Sequence, residues 1–292
     1  MPGPSGDIAH IVVGVGYVGR RLLAALPPGS AIGWSRAGPG SGPAVQTLDL
    51  DAVHAALPPI PPAYSLTYTV PPAKDAGHDR RLERLLASLE RPPRRVVYLS
   101  TTGVYGDRAG ARVDELTPPA PSTQRAERRV DAERRLETFC QAGGIPLVIL
   151  RVPGIYGPGR LGLERIRDGV AVLDERDANP GNRIHVDDLV RCCLAALDAT
   201  VPPGIYNVGD GDERSSTWFA TEVARRLGIE APPTVRRSRA EREFSAKRLS
   251  FLGESRRVDL TKMKSLLGVE PTYADAADGI AASLKEDEEA QP

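Results

Sequence analysis

The chain has 292 residues, and its 38 Lys plus Arg are balanced by 38 Asp plus Glu, for a formal net charge of zero. That balance argues against nucleic acid or an anionic membrane as the main partner, because both select a basic surface. Hydrophobic residues make up 41% of the chain, enough for a sizeable core and against global disorder.

The length suits one large α/β domain or a domain with a smaller lobe. Cys140, Cys192 and Cys193 form no C-x-x-C and are odd in number, which fits free thiols in a reducing cytoplasm. His10, His54, His78 and His185 are scattered, so no metal site is expected. The opening "MPGPSGDIAHIVVGVG" has neither a basic n-region nor a long apolar run, and no stretch of 18 apolar residues follows, so neither signal peptide nor membrane span is expected.

In chain order, "HIVVGV" (10–15) reads as a buried strand and "GRRLLAAL" (19–26) as a helix ending at Pro27. "AIGWS" (31–35) is a second strand. "AVQTLDL" (44–50) holds a third, followed by a short helix in "DAVHAAL" (51–57). "YSLTYTV" (64–70) is a fourth strand, and "DRRLERLLASL" (79–89) repeats leucine at helical spacing. "RVVYLS" (95–100) and "PLVILR" (146–151) are the fifth and sixth strands, with an amphipathic helix beginning in "PSTQRAERRVDAE" (121–133).

Beyond Gly159 the pattern loosens. A strand-to-helix passage (184–197) is expected, with His185 anchoring a loop and an aspartate capping the helix from 188, or with His185 and Asp187 or Asp188 as a catalytic pair. A strand follows in "GIYNVG" (204–209), then a helix at 216–228 with Ser216 as N-cap, then a strand and helix at 257–268 and a frayed acidic tail. The run "RRSRAEREFSAKR" (236–248) reads as a solvated face. Strands alternating with helices predict parallel βαβ units, hence a Rossmann-like doubly wound sheet with a smaller C-terminal α/β lobe. Residues 1–157 are expected to form the Rossmann-like domain, with 184–209 returning to it, and residues 158–183 and 210–292 the smaller lobe.

"GVGYVG" matches G-x-G-x-x-G at Gly14, Gly16 and Gly19, between a strand and a helix, the context in which it binds a dinucleotide. Gly14 permits the turn, Gly16 lets a pyrophosphate approach the backbone, and Gly19 lets helix and strand pack. The helix N-terminus at Tyr17 and Val18 offers N–H groups to phosphate. The second strand ends in Ser35 and Arg36, where an NAD site places an acid, so the pattern favours NADP, with NAD as the alternative. Asp49 suits the adenine amino group or a surface turn.

Three later stretches, "YLSTTGVYGD" (98–107), "ILRVPGIYGPGR" (149–160) and "NRIHVDDLV" (182–190), resemble in order and spacing the extended short-chain dehydrogenase/reductase superfamily of nucleotide-sugar epimerases and dehydratases. "GIYNVGDG" and "RRVDLTKMKSLLG" extend the resemblance over nearly the whole chain. It implies an NAD(P)-dependent epimerase-, dehydratase- or reductase-like protein acting on a sugar nucleotide or another small carbonyl or alcohol, or a catalytically silent NADP-binding sensor or scaffold. It also implies that Thr101 bonds the reacting oxygen, that Ser100 and Pro153 lie along the cofactor, and that a homodimer through two long helices is open to the chain.

The family's Tyr-x-x-x-Lys is replaced here by Arg125 and Arg129. A guanidinium stays protonated, so Arg125 cannot exchange a proton as the phenol does. Arg129 can still hold ribose hydroxyls, and Tyr105 or Tyr156 stands as a substitute acid. Arg129 and Glu133 are spaced for an ion pair on one helix face. Arg160, Arg165 and Arg183 suit a phosphorylated substrate. The chain resembles an atypical subgroup of the superfamily that has the G-x-G-x-x-G loop and lacks Tyr-x-x-x-Lys.

Overall fold

Seven short segments are so rich in Val, Ile, Leu and aromatic residues that neither face of a sheet built from them tolerates water. In the computed structural model, which describes residues 9–41, 44–52, 56–73 and 77–290, these segments form one fully parallel sheet. They are β1 (His10–Val13), β2 (Ala31–Ser35), β3 (Val45–Thr47), β4 (Ser65–Tyr68), β5 (Arg95–Thr101), β7 (Leu147–Val152) and β11 (Gly204–Asn207). Their spatial order is β11-β7-β5-β4-β1-β2-β3. The order reverses between β1 and β4, which opens the crevice where ligands of such sheets bind.

Side chains of consecutive strand residues point to opposite faces, and the core divides accordingly. Val12, Val97, Leu99 and Leu150 pack with α1 (Tyr17–Ala25) and α5 (Val186–Leu197). Ile11, Tyr68, Tyr98 and Ile149 pack with α2 (Arg80–Ser88) and α3 (Gln124–Gly143). The three cysteines fall inside these layers as free thiols, and burial pushes Cys140 and Cys193 up to about 12.

Outside the sheet, three two-stranded parallel ribbons tie distant segments together. β6 (Arg112–Val113) pairs with β13 (Arg257–Val258), β8 (Gly154–Tyr156) with β10 (Arg183–His185), and β9 (Val172–Leu173) with β12 (Thr234–Val235). A separate cluster containing Ile166, Val223 and Ile280 joins α4 (Leu163–Arg167), α6 (Ser216–Leu227) and α10 (Ala276–Glu289). The short helices α7 (Arg237–Glu243), α8 (Ala246–Leu252) and α9 (Thr261–Ser265) complete the chain.

Several local expectations are corrected. Of the helix expected at 51–57, residues 53–55 lie outside the described residues, and the flanking positions are non-helical. Ser215, not Ser216, caps α6 by accepting from Trp218 N. His185, not an aspartate, caps α5, while Asp188 turns to the backbone N–H groups of Thr272 and Tyr273. The acidic tail is helical to Glu289, held by Arg21 against Glu286 at 3.6 Å. The charged run at 236–248 is anchored rather than merely solvated, for Arg237 and Arg248 donate to the carbonyls of Asp177 and Ala171.

The expected Arg129–Glu133 pair does not form. Glu133 turns inward and meets Arg151 of β7 through two bonds, at 3.2 and 2.8 Å, with both side chains almost wholly buried. Ser100 Oγ donates to the same carboxylate, and the Arg151 guanidinium lies 4.8 Å from the Tyr105 ring centroid. Removing one partner strands a charge in the interior, whereas replacing both by apolar side chains of similar volume leaves no charge unpaired. Arg151→Met alone is therefore expected to cost about 3–5 kcal/mol in urea unfolding, and Arg151→Met with Glu133→Leu distinctly less.

Candidate active site

The glycine loop is the floor of the crevice. Gly14 has φ +99°, and a Cβ there would lie 2.6 Å from Thr69 Oγ1, so the turn after β1 closes tightly on the end of β4. A Cβ on Gly19 would fall 2.1 Å from the Gly14 carbonyl oxygen, which is the close helix–strand approach that only glycine allows. A Cβ on Gly16 would meet nothing within 4 Å. Gly16 is the N-cap of α1 and supplies no capping side chain, so the first N–H groups of the helix remain available to an anion. Above this floor lies a groove of about 470 Å³ whose walls include Val18, Ser35, Asp49, Ser100, Arg129 and Arg160. Room, cradle and dipole together fit the pyrophosphate of a dinucleotide.

At one end of the groove, Ser35 Oγ accepts from Ala37 N and Asp49 Oδ1 accepts from Asp51 N. Arg36 reaches from the end of β2 to Asp51 at 3.1 Å, and Asp51 is gripped in turn by Arg81 of α2. Asp51 and Arg81 also line the groove. Neither was legible as a site residue, because nothing in local spacing joins positions thirty residues apart. Tyr17 Oη donates to the Pro158 carbonyl at 2.9 Å, and its ring lies between the guanidiniums of Arg21 and Arg160, 4.2 and 3.9 Å from its centroid.

At the other end, Arg129 donates to the Leu99 carbonyl at 2.8 Å and the Tyr98 hydroxyl at 3.1 Å. Tyr98 itself is wholly buried, and burial pushes its phenol up to about 12. Ser100 lines the groove with its hydroxyl committed to Glu133. Thr101 ends β5 with Oγ1 accepting from Gly103 N at 3.2 Å, and it faces a second cavity of about 610 Å³. Arg125, Pro153, Arg165 and Arg256 face that cleft too, and Ile155 and Arg160 belong to both spaces. Glu254 is the one carboxylate among the described residues lining the cleft, and Arg256 pairs with it at 2.8 Å.

The substitute acids are corrected by burial. Tyr105 is fully buried, lines neither space, and donates to Asn207 Oδ1 at 2.7 Å. Tyr156 does border the cleft, but it is 4% exposed, its hydroxyl lies toward Gly279 of α10, and burial raises its pKa well beyond the ordinary phenol range. His185 is 1% exposed, lines neither space and reaches Ser283 Oγ at 3.1 Å, an anchor whose pKa burial lowers. Arg183 spends Nη2 on the carbonyls of Arg214 and Ser215, although it still borders the cleft. Behind that segment Asp210 borders a cavity of about 350 Å³. Its Oδ1 accepts from Asp212 N, its Oδ2 has no partner among the described residues, and burial pushes the carboxyl up to about 7. Among the described residues no cluster of His, Cys, Asp or Glu could hold a metal ion, and no helix is long and apolar enough to cross a membrane.

A family model described as the NAD dependent epimerase/dehydratase family matches residues 79–209. A solved structure of a functionally unknown conserved protein from Silicibacter pomeroyi is 31% identical, with a TM-score of 0.81 over 96% of this chain and 99% of its own. The segment from the second helix of the sheet to its edge strand thus carries the epimerase/dehydratase likeness. Protein YeeZ of Escherichia coli (strain K12) is 26% identical over 285 residues, 90% of this chain and 96% of YeeZ. UDP-glucuronic acid 4-epimerase from Bacillus cereus, solved in complex with NAD, shares the fold at 18% identity and a TM-score of 0.72, over 97% of this chain and all of its own.

The loop geometry separates two glycines that look alike in the motif. Gly16→Val is expected to keep the melting temperature of the parent while lowering dinucleotide affinity at least tenfold in a fluorescence titration, since its side chain enters open space in the groove. Gly19→Ala is expected to lower the melting temperature instead. The raised carboxyl of Asp210 means that the native state holds this proton more tightly than the unfolded chain. Its contribution to stability is present below about pH 4 and is lost as pH rises through about 7. Asp210→Asn should accordingly melt a few degrees higher than the parent at pH 8 and close to it at pH 4. An equal shift at both pH values would reject the buried-acid account.

Proposed function

We propose that the protein is an NADP- or NAD-dependent reductase- or epimerase-like enzyme acting on an anionic small molecule, a sugar nucleotide or another small carbonyl or alcohol, without the family's Tyr-x-x-x-Lys pair. The observation that carries this is the meeting of the two spaces. The groove over the glycine loop opens through Ile155 and Arg160 onto a cleft lined by Thr101 and by Arg125, Arg165 and Arg256. In this reading Gly14, Gly16, Tyr17, Val18 and Gly19 hold the pyrophosphate, and Ser35, Arg36 and Asp49 flank the adenosine end. Ser100, Arg129 and Pro153 border the nicotinamide end, and residues 158–183 and 210–292 supply the substrate lobe. A bound nicotinamide would exchange hydride with the substrate carbon.

The chain's own residues bias that chemistry. Thr101 and Arg125 offer hydrogen bonds to an oxygen in the cleft, and a guanidinium stabilises an oxyanion without reorganisation. Neither group takes a proton from an alcohol, because Arg125 is fixed in its protonated form and the Thr101 hydroxyl is far from acidic. Reactions in which the substrate oxygen gains negative charge are thus assisted, with water as the proton source, whereas alcohol deprotonation is not. The cleft arginines favour a substrate bearing phosphate, because a guanidinium pairs with it bidentately.

The test is a titration of purified protein with NADPH and NADH, followed by a panel of sugar nucleotides and simple carbonyls read by nicotinamide absorbance. Turnover is expected with at least one phosphorylated substrate, with Thr101→Val lowering kcat about tenfold or more and Arg256→Ala raising KM. Dinucleotide binding with no turnover anywhere on the panel would favour a silent binding protein and defeat this reading.

A further inference from the structure

We infer that Asp51 sets the discrimination between NADPH and NADH in this groove, by occupying the Arg81 fork and one nitrogen of Arg36, donors that a 2′-phosphate would need. This rests on reading the groove as a dinucleotide site. The observation is an arginine cage built around one carboxylate. Arg81 Nε and Nη2 meet the two oxygens of Asp51 at 2.7 and 2.6 Å, a bidentate fork. Arg36 Nη1 meets Asp51 Oδ2 at 3.1 Å from the end of β2. Arg81 is also braced across the groove by Nη1, which donates to the Pro71 carbonyl at 3.0 Å. All three side chains line the groove.

The fork that grips a carboxylate is the same fork that grips a phosphate. A phosphate dianion on the ribose can engage the Arg81 fork only in competition with Asp51 and must share Arg36 with it, and the Arg81 bond holds the Asp51 carboxyl below the usual range. Two unsubstituted ribose hydroxyls make no such demand. Asp51 therefore opposes NADPH and is close to neutral toward NADH, so the groove prefers NADPH less than Arg36 alone would suggest. The backbone around Asp51 does not depend on its carboxylate. Arg84 Nη1 donates to the carbonyls of Leu50 and Asp51, at 2.9 and 2.8 Å, so the loop stays in place when the side chain is changed.

The experiment measures NADPH and NADH dissociation constants for the parent, Asp51→Asn and Arg81→Gln at one ionic strength, with melting temperatures alongside. Asp51→Asn is expected to tighten NADPH about tenfold and move NADH by less than about twofold, and Arg81→Gln to weaken NADPH selectively. An unchanged NADPH:NADH ratio in Asp51→Asn, with both dinucleotides still bound, overturns the inference and leaves the groove reading intact. Selective loss of NADH overturns it too, by making Asp51 an acceptor for the ribose hydroxyls. A parent protein that binds neither dinucleotide defeats both.

Discussion

Glu133 and Arg151 bring opposite charges together in the driest part of the molecule, and the candidate site is hung on that contact. Arg151 stands next to the end of β7, where every other residue is apolar, and Glu133 stands on the inner face of α3. The pair fixes how α3 lies on the sheet, and so where Arg125 and Arg129 emerge. It also takes up the hydroxyl of Ser100 and seats Arg151 over Tyr105, which runs on through Asn207 to Glu115. One desolvated ion pair thus couples the third helix, the fifth and seventh strands and the edge strand. Its desolvation cost is offset only because nearly every lone pair of the carboxylate is met by a donor.

Fold and chemistry respond differently to the same substitution. A helix is indifferent to replacing Tyr and Lys by two arginines, since Arg is a good helix former and its long stem can pack while its head reaches a polar partner. Arg129 does this, with its guanidinium on a strand carbonyl and a buried phenol. Proton exchange has no such tolerance, because it depends on a pKa close to that of the medium. Of the two tyrosines best placed in sequence to compensate, Tyr105 is shut away and Tyr156 borders the cleft with its hydroxyl toward Gly279. What remains around the cleft is cationic and hydrogen-bond donating, suited to receiving negative charge rather than removing protons.

Much of this arrangement was legible in the sequence, for reasons that differ from feature to feature. The strands showed through because a sheet covered on both faces demands unbroken apolar runs. The glycine loop showed through because each of its three glycines answers a separate steric requirement. What stayed hidden were choices made by tertiary contacts. Glu133 sits four residues from Arg129 and also beside a strand arginine, and burial decided for the strand. Tyr105 looks available in a motif, yet its ring packs under Arg151. Ser215 and Ser216 are equivalent as caps until the backbone turns. The Asp51–Arg81 fork joins a loop to a helix across the groove, a closeness that no local pattern encodes.

The placement of the cysteines carries a consequence of another kind. Oxidants and alkylating agents react with thiolate, and burial holds Cys140, Cys192 and Cys193 in the thiol form with no exposed sulfur. Glutathione or peroxide therefore meets no exposed thiol among the described residues, and an oxidant reaches these sulfurs only when the layers that bury them open.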